Sequence, residues 1–168
     1  MRNVEIKTQL RDRGHVEREL ERLGARDAGI ETQDDVFYRC PSGRLKLRES
    51  SRDGAALIHY QRSDEATERI SDYEIVRISD PETMRAFLDR ALGRSGAVRK
   101  QRHLFLLDNV RIHLDRVEKL GDFLELEAIV DTGHTEAQCR QSCAELLERF
   151  GIRPEDRLAV AYVDLPTA

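Results

Sequence analysis

The chain has 168 residues, 36% of them charged and 39% apolar, with no tryptophan and a formal net charge of −4. That length supports one domain, spanning 1–168, around a lean aliphatic core, and the acidic balance argues against a nucleic-acid partner, which a basic excess normally serves. Cys40, Cys139 and Cys143 form no Cys-x-x-Cys pair, which fits a reducing compartment rather than a disulfide scaffold.

The first element is a strand from about Arg2 to Leu10. A helix follows, with Asp12 as cap, Val16, Leu20 and Leu23 as its apolar stripe, and Gly24 as its stop. Residues 30–39 read as extended, and the Pro41-Ser42-Gly43 turn returns the chain as Arg44–Glu49. Asp53-Gly54 leads into a strand over Ala56–Arg62, Ser63–Glu68 reads as a polar loop, and Arg69–Ile78 as a further strand. Asp80-Pro81-Glu82 opens a helix with an Asp cap and proline in the first turn, striped by Met84, Phe87, Leu88 and Ala91. Three strands are expected near 97–107, 110–118 and 122–130. Thr135 and Gln138 have capping-box spacing for a last long helix ending at Gly151, and Pro154–Tyr162 leaves room for one more short helix. Cys139 and Cys143 lie four apart on that helix beside Leu146, Leu147 and Phe150, so both read as core. Hairpin-length connections make the sheet mostly antiparallel and the class α+β.

Four strands alternate charge with branched aliphatics: Asn3-Val4-Glu5-Ile6-Lys7, Arg44-Leu45-Lys46-Leu47-Arg48, Arg111-Ile112-His113-Leu114-Asp115 and Phe123-Leu124-Glu125-Leu126-Glu127. Period-two alternation puts all the polar groups on one face. Two architectures satisfy it. One is an open sheet with a solvated charged face. The other is an eight-stranded barrel with the charge inside and helices against its apolar exterior. A charged interior is costly unless ligands neutralise it.

Glu5, Glu125 and Glu127 are the candidate metal ligands, because hard divalent ions such as Mg²⁺ take carboxylate oxygens. Lys7, Arg44, Lys46, Arg48, Arg62, Lys100, Arg102 and Arg111 are the candidate phosphate ligands, Arg through its fork and Lys as a compact charge. Taken singly, each also reads as a solvated surface charge. There is no glycine-rich phosphate loop, so polyphosphate binding would rest on side chains. Tyr60, Tyr73 and His113 are candidates to sit among these groups; His113 has the parity of Arg111 and Asp115 and so is placed to face the same interior, with a structural role as its other reading. No apolar run approaches the roughly 20 residues of a membrane span and no signal peptide is recognisable, so a cytoplasmic location without a membrane partner is expected.

These residues resemble the CYTH superfamily, the triphosphate tunnel metalloenzymes. Val4-Glu5-Ile6-Lys7 is similar to the end of its E-x-E-x-K signature, and Arg44–Arg48 to its basic L-R-x-R strand. Arg111–Val117 with Leu120–Glu127 is similar to its R-x-x-x-D-x-V-x-x-L-G-x-F-x-E-x-E segment, and Tyr162-Val163-Asp164-Leu165 to its closing S-Y-x-D-L-L motif. The resemblance implies an eight-stranded antiparallel barrel whose tunnel holds a triphosphate with Mg²⁺ or Mn²⁺. By position it assigns Glu5, Glu125 and Glu127 to metal, with Asp115 nearby. Lys7, Lys46, Arg48, Lys100, Arg102 and Arg111 are assigned to phosphate, and Arg62 more loosely. The implied chemistry is class IV adenylyl cyclase turnover of ATP, or hydrolysis of inorganic tripolyphosphate or thiamine triphosphate. A non-catalytic nucleotide or polyphosphate module is the third alternative, and outward faces leave room for a homodimer. The family's first signature Glu is Asn3 here, which keeps a neutral carbonyl oxygen, removes one negative charge and weakens a two-metal site.

Overall fold

The computed structural model describes residues 2–62 and 69–165, without the side chains of residues 62 and 69–71. Among these residues eight strands are present: β1 Arg2–Gln9, β2 Arg26–Tyr38, β3 Arg44–Ser50, β4 Gly54–Arg62, β5 Arg69–Ile78, β6 Arg94–Leu107, β7 Val110–Val117 and β8 Gly121–Ile129. They close in the order β1-β5-β4-β3-β2-β6-β7-β8, every neighbouring pair antiparallel. The alternation therefore resolves as a barrel and not as an open sheet. The loop expected over Ser63–Glu68 lies outside the described residues.

Among the described residues three α-helices pack against the outside of the barrel: α1 Arg13–Arg22, α2 Pro81–Ala91 and α3 Glu136–Arg149. Their starts follow the local chemistry. Asp12 accepts from the His15 amide, Asp80 from the Thr83 amide, and Thr135 with Gln138 completes a reciprocal capping box. Two single-turn 3₁₀ helices follow, Pro154–Asp156 and Tyr162–Asp164, in place of the one short helix expected. No helix among the described residues is long and apolar enough to cross a membrane.

The core lies outside the barrel. Outward-facing Val4, Ile6, Ile112, Leu114, Leu124 and Leu126 pack under α1 and α3, which contribute Val16, Leu20, Cys139, Cys143 and Leu147. A smaller cluster seats Leu88 of α2 on Val36, Tyr38 and Leu47. Each such aliphatic, fully buried, stabilises the fold by about 1.5–3 kcal/mol. The aliphatic half of each alternating strand thus glues helices to the barrel wall and forces the polar half inward.

Strand β2 begins four residues before its expected start. Its pairing with β6 shifts register between Asp27 and Ile30, where Gly29 takes φ 87°. Glycine adopts that conformation without a steric penalty, so the ladder continues across a bulge. Strand β6 likewise reaches back to Arg94.

Candidate functional site

The register carries the alternating polar residues into one interior. Lys7 faces Glu125, Glu5 faces Glu127, His113 faces Glu125, Arg111 faces Glu127, Arg102 faces Asp115 and Asp35 faces Arg48. They enclose a cavity of about 430 Å³ lined by seven Lys and Arg side chains and five carboxylates among the described residues.

One end is closed by the chain after α3. Leu158 donates its amide to the Lys7 carbonyl (2.9 Å), and Ala161 and Tyr162 then line the cavity. Gly96 permits this route, since a Cβ there would overlap Val163. The Tyr162 ring lies under Lys7 Nζ (4.1 Å) and Lys100 Nζ (5.1 Å), where its face attracts the ammonium groups. Its hydroxyl donates to Asp115 Oδ2 (3.0 Å). Burial, with Asp115 and Glu125 nearby, pushes that phenol well above its usual range and keeps it protonated.

The cations are held by buried carboxylates. Arg48 forks onto Asp35 through Nε and Nη2, both at 2.7 Å, and Lys46 Nζ reaches Asp35 at 2.9 Å. Burial pulls the Asp35 carboxyl upward, but Arg48 and Lys46 overcome it and hold the group well below the ordinary range. Arg102 forks onto Asp115 at 2.7 and 2.6 Å and also reaches Glu125 Oε2 at 2.7 Å. Lys100 Nζ lies 3.5 Å from Asp115. Burial and the adjacent Arg48 bring the Lys46 ammonium down to about 7, and burial and Arg102 bring Lys100 down to about 8. Both groups therefore titrate near neutrality.

A second group is built on β7 and β8. Ligand atoms of His113, Glu125 and Glu127 lie within 4.8 Å of one another. Glu125 is tied to Lys7 (3.3 Å) and Arg102; burial raises its carboxyl, but Lys7, Arg102 and His113 prevail and hold it well below the usual range. Glu127 is held more loosely, 3.8 Å from Arg111 and 3.9 Å from His113 Nδ1. His113 Nδ1 is buried without a hydrogen-bond partner, and so is Oδ1 of Asn3 on neighbouring β1. Buried polar atoms ordinarily find partners. These two unpartnered atoms, in one cavity with Glu125 and Glu127, add to an N/O donor set that fits a divalent cation.

Lys7, Lys46, Arg48, Lys100, Arg102 and Arg111 all line the cavity, as do Glu125 and Glu127. Asp115, Arg44 and Glu5 are not among the residues lining that cavity. Asp115 is apart from the three-residue group, its oxygens engaged by Arg102, Lys100 and Tyr162. Arg44 pairs with Asp164 at 2.7 Å and lines a separate cleft beside the closing segment. Glu5 is buried and faces Glu127 in register but is not one of the three grouped ligands. Arg62 ends β4, with its side chain outside the described residues. The sequence reading missed Asp35, Gln33 and Glu31, and placed Tyr162 only in a motif. The Glu31-x-Gln33-x-Asp35 alternation was the available signal, hidden by the apolar Val36-Phe37-Tyr38 run that follows it.

Comparison with known proteins agrees with this architecture. The family model for the CYTH domain matches residues 1–162. A protein of Methanocaldococcus jannaschii provisionally named an adenylate cyclase is 25% identical, over 98% of each chain. A solved Pyrococcus horikoshii protein is 28% identical with a TM-score of 0.86, covering 97% of this chain and 98% of that one. A Hippeastrum protein, provisionally named an adenylyl cyclase and described as revealing a dominant triphosphatase activity, shares the fold. Its TM-score is 0.62 at 14% identity, covering 96% of this chain and 92% of that one.

Proposed function

The chain belongs to the CYTH family, and from that premise we propose that it is a divalent-metal-dependent enzyme acting on a triphosphate held in the barrel. The favoured reaction is conversion of ATP to cyclic AMP and pyrophosphate. The observation that carries the reading is the cation excess inside a closed wall, with Lys46, Arg48, Lys100 and Arg102 converging on one cavity. Asp35 and Asp115 each serve two of these four cations, so their pairing is incomplete and a polyanion would complete the neutralisation.

Arg48 and Arg102 would donate to phosphate oxygens through the guanidinium N–H groups that Asp35 and Asp115 leave open, and Lys7, Lys46 and Lys100 would add point charges. Asp35 and Asp115 act as positioning residues: their forks fix the guanidinium planes before substrate arrives, so little reorganisation accompanies the reaction. Glu125, Glu127 and His113, with the Asn3 carbonyl, would hold Mg²⁺ or Mn²⁺. That ion would supply charge neutralisation and Lewis acidity at the phosphate oxygens. In cyclisation the ribose 3′-hydroxyl gives up its proton to solvent as its oxygen forms a bond to the α-phosphorus, the bond to the β-phosphate oxygen breaks, and pyrophosphate leaves with the electron pair. The barrel cations stabilise the charge gathering on that leaving group.

Hydrolysis of the terminal phosphate is the second reading, favoured by the Hippeastrum neighbour's described activity. Product analysis separates the two. Incubation with ATP, tripolyphosphate or thiamine triphosphate and Mg²⁺ or Mn²⁺ should yield cyclic AMP and pyrophosphate from ATP. Orthophosphate instead supports hydrolysis. Tight binding without turnover contradicts both and makes the chain a binding module.

A further inference from the structure

At the cavity end opposite Tyr162 stands a group that phosphate binding leaves unused. Glu31 on β2 is a buried carboxylate. One oxygen accepts from Gln33 Nε2 at 2.7 Å and the other from the Ser50 hydroxyl. Because a carboxylate can only accept, this pairing fixes the Gln33 amide with its nitrogen toward Glu31 and its oxygen turned away. Gln33 lines the cavity, is 4% exposed, and its Oε1 has no hydrogen-bond partner. A carbonyl oxygen repels phosphate oxygens and is satisfied by an N–H or O–H donor or by a cation, and Gln33 is not among the residues grouped around His113, Glu125 and Glu127. Ile75 and Leu104 present apolar surface to the same cavity.

We propose that Gln33 is a specificity-determining residue that accepts a hydrogen bond from the organic part of the substrate, so that the site takes a triphosphate ester bearing an N–H or O–H donor in preference to inorganic tripolyphosphate. This rests on the triphosphate reading of the cavity. Glu31 and Ser50 act through Gln33 by fixing its orientation. A site built to receive a donor discriminates against a ligand lacking one, because its buried acceptor is then left unpaired.

The test measures dissociation constants for ATP and for tripolyphosphate, in the full chain and in Gln33→Leu, which keeps the bulk and removes the acceptor. The expected result is that Gln33→Leu weakens ATP binding about tenfold while tripolyphosphate binding is unchanged, which also reports that the variant is folded. Ser50→Ala, a milder change, should shift ATP affinity in the same direction by a smaller factor. Equal losses for both ligands, or no change for ATP in either variant, overturn the assignment. If the unaltered chain binds neither ligand, the triphosphate reading fails and this inference falls with it.

Discussion

Two neighbouring arcs of the barrel wall treat charge differently. On β2, β3 and β6, Arg48 forks onto Asp35 and Arg102 reaches across to fork onto Asp115 of β7, all at 2.6–2.7 Å. On the side of β1, β7 and β8 the contacts of Glu127 stretch to 3.8 and 3.9 Å, and His113 Nδ1 and Asn3 Oδ1 have no hydrogen-bond partners. The first arc offsets part of its own desolvation through these pairs, two carboxylates serving four cations, and leaves the rest to an anion. The second leaves donor atoms open, as an ion site requires. Glu125, shared between Lys7 and Arg102, joins the two. The difference teaches that a charged interior stays stable by pairing the groups that orient substrate and leaving open those that receive metal.

The largest expected break in that comparison is Asp115→Asn. It leaves Arg102 and Lys100 without their fully buried partner, and breaking a buried pair typically destabilises by roughly 3–5 kcal/mol. Thermal unfolding should show that loss, with partial recovery on adding tripolyphosphate, which re-pairs the cations. Glu127→Gln, whose ion-pair contacts are long, should alter stability far less. Equal destabilisation by both changes would remove the distinction between the arcs.

A smaller effect concerns pH. Lys46 and Lys100 are held at about 7 and about 8, below the ordinary lysine value. Between those values and about 10.4, the usual lysine pKa, the unfolded chain binds more protons than the folded one, so stability of the ligand-free protein rises with pH there. Triphosphate binding has the opposite trend, because the anion favours the protonated ammonium. Affinity should fall about tenfold from pH 7 to 9, with proton uptake detected by calorimetry in buffers of different ionisation enthalpy; each unit of pKa shift corresponds to a tenfold factor. A flat profile without proton uptake would contradict the placement of these lysines against substrate.

Much of this molecule is legible in local pattern. The strict alternation of β1, β3, β7 and β8 marks one polar face, and Asp12, Asp80 and Thr135 mark the helix starts, because strand parity and caps are properties of adjacent residues. Parity alone left the sheet open or closed; the ladder between β1 and β5 that completes the barrel depends on pairing across the whole fold. Pairing partners are less visible for the same reason. Asp35 takes its role from Arg48 and Lys46 on another strand, and Tyr162 reaches Asp115 only because the closing segment turns into the barrel end. Arg44 has the same parity as Lys46 and Arg48, but stands at the strand's first position, where Asp164 of that segment captures it.

The most direct test of the division of labour is calorimetric titration of tripolyphosphate into the full chain and into Glu127→Gln, each with and without Mn²⁺. The account predicts that Mn²⁺ strengthens binding to the unaltered chain. In Glu127→Gln the metal-free affinity should persist and the Mn²⁺ enhancement should be lost, because the cation wall is intact and the ion site is not. An undiminished Mn²⁺ enhancement in Glu127→Gln would contradict it.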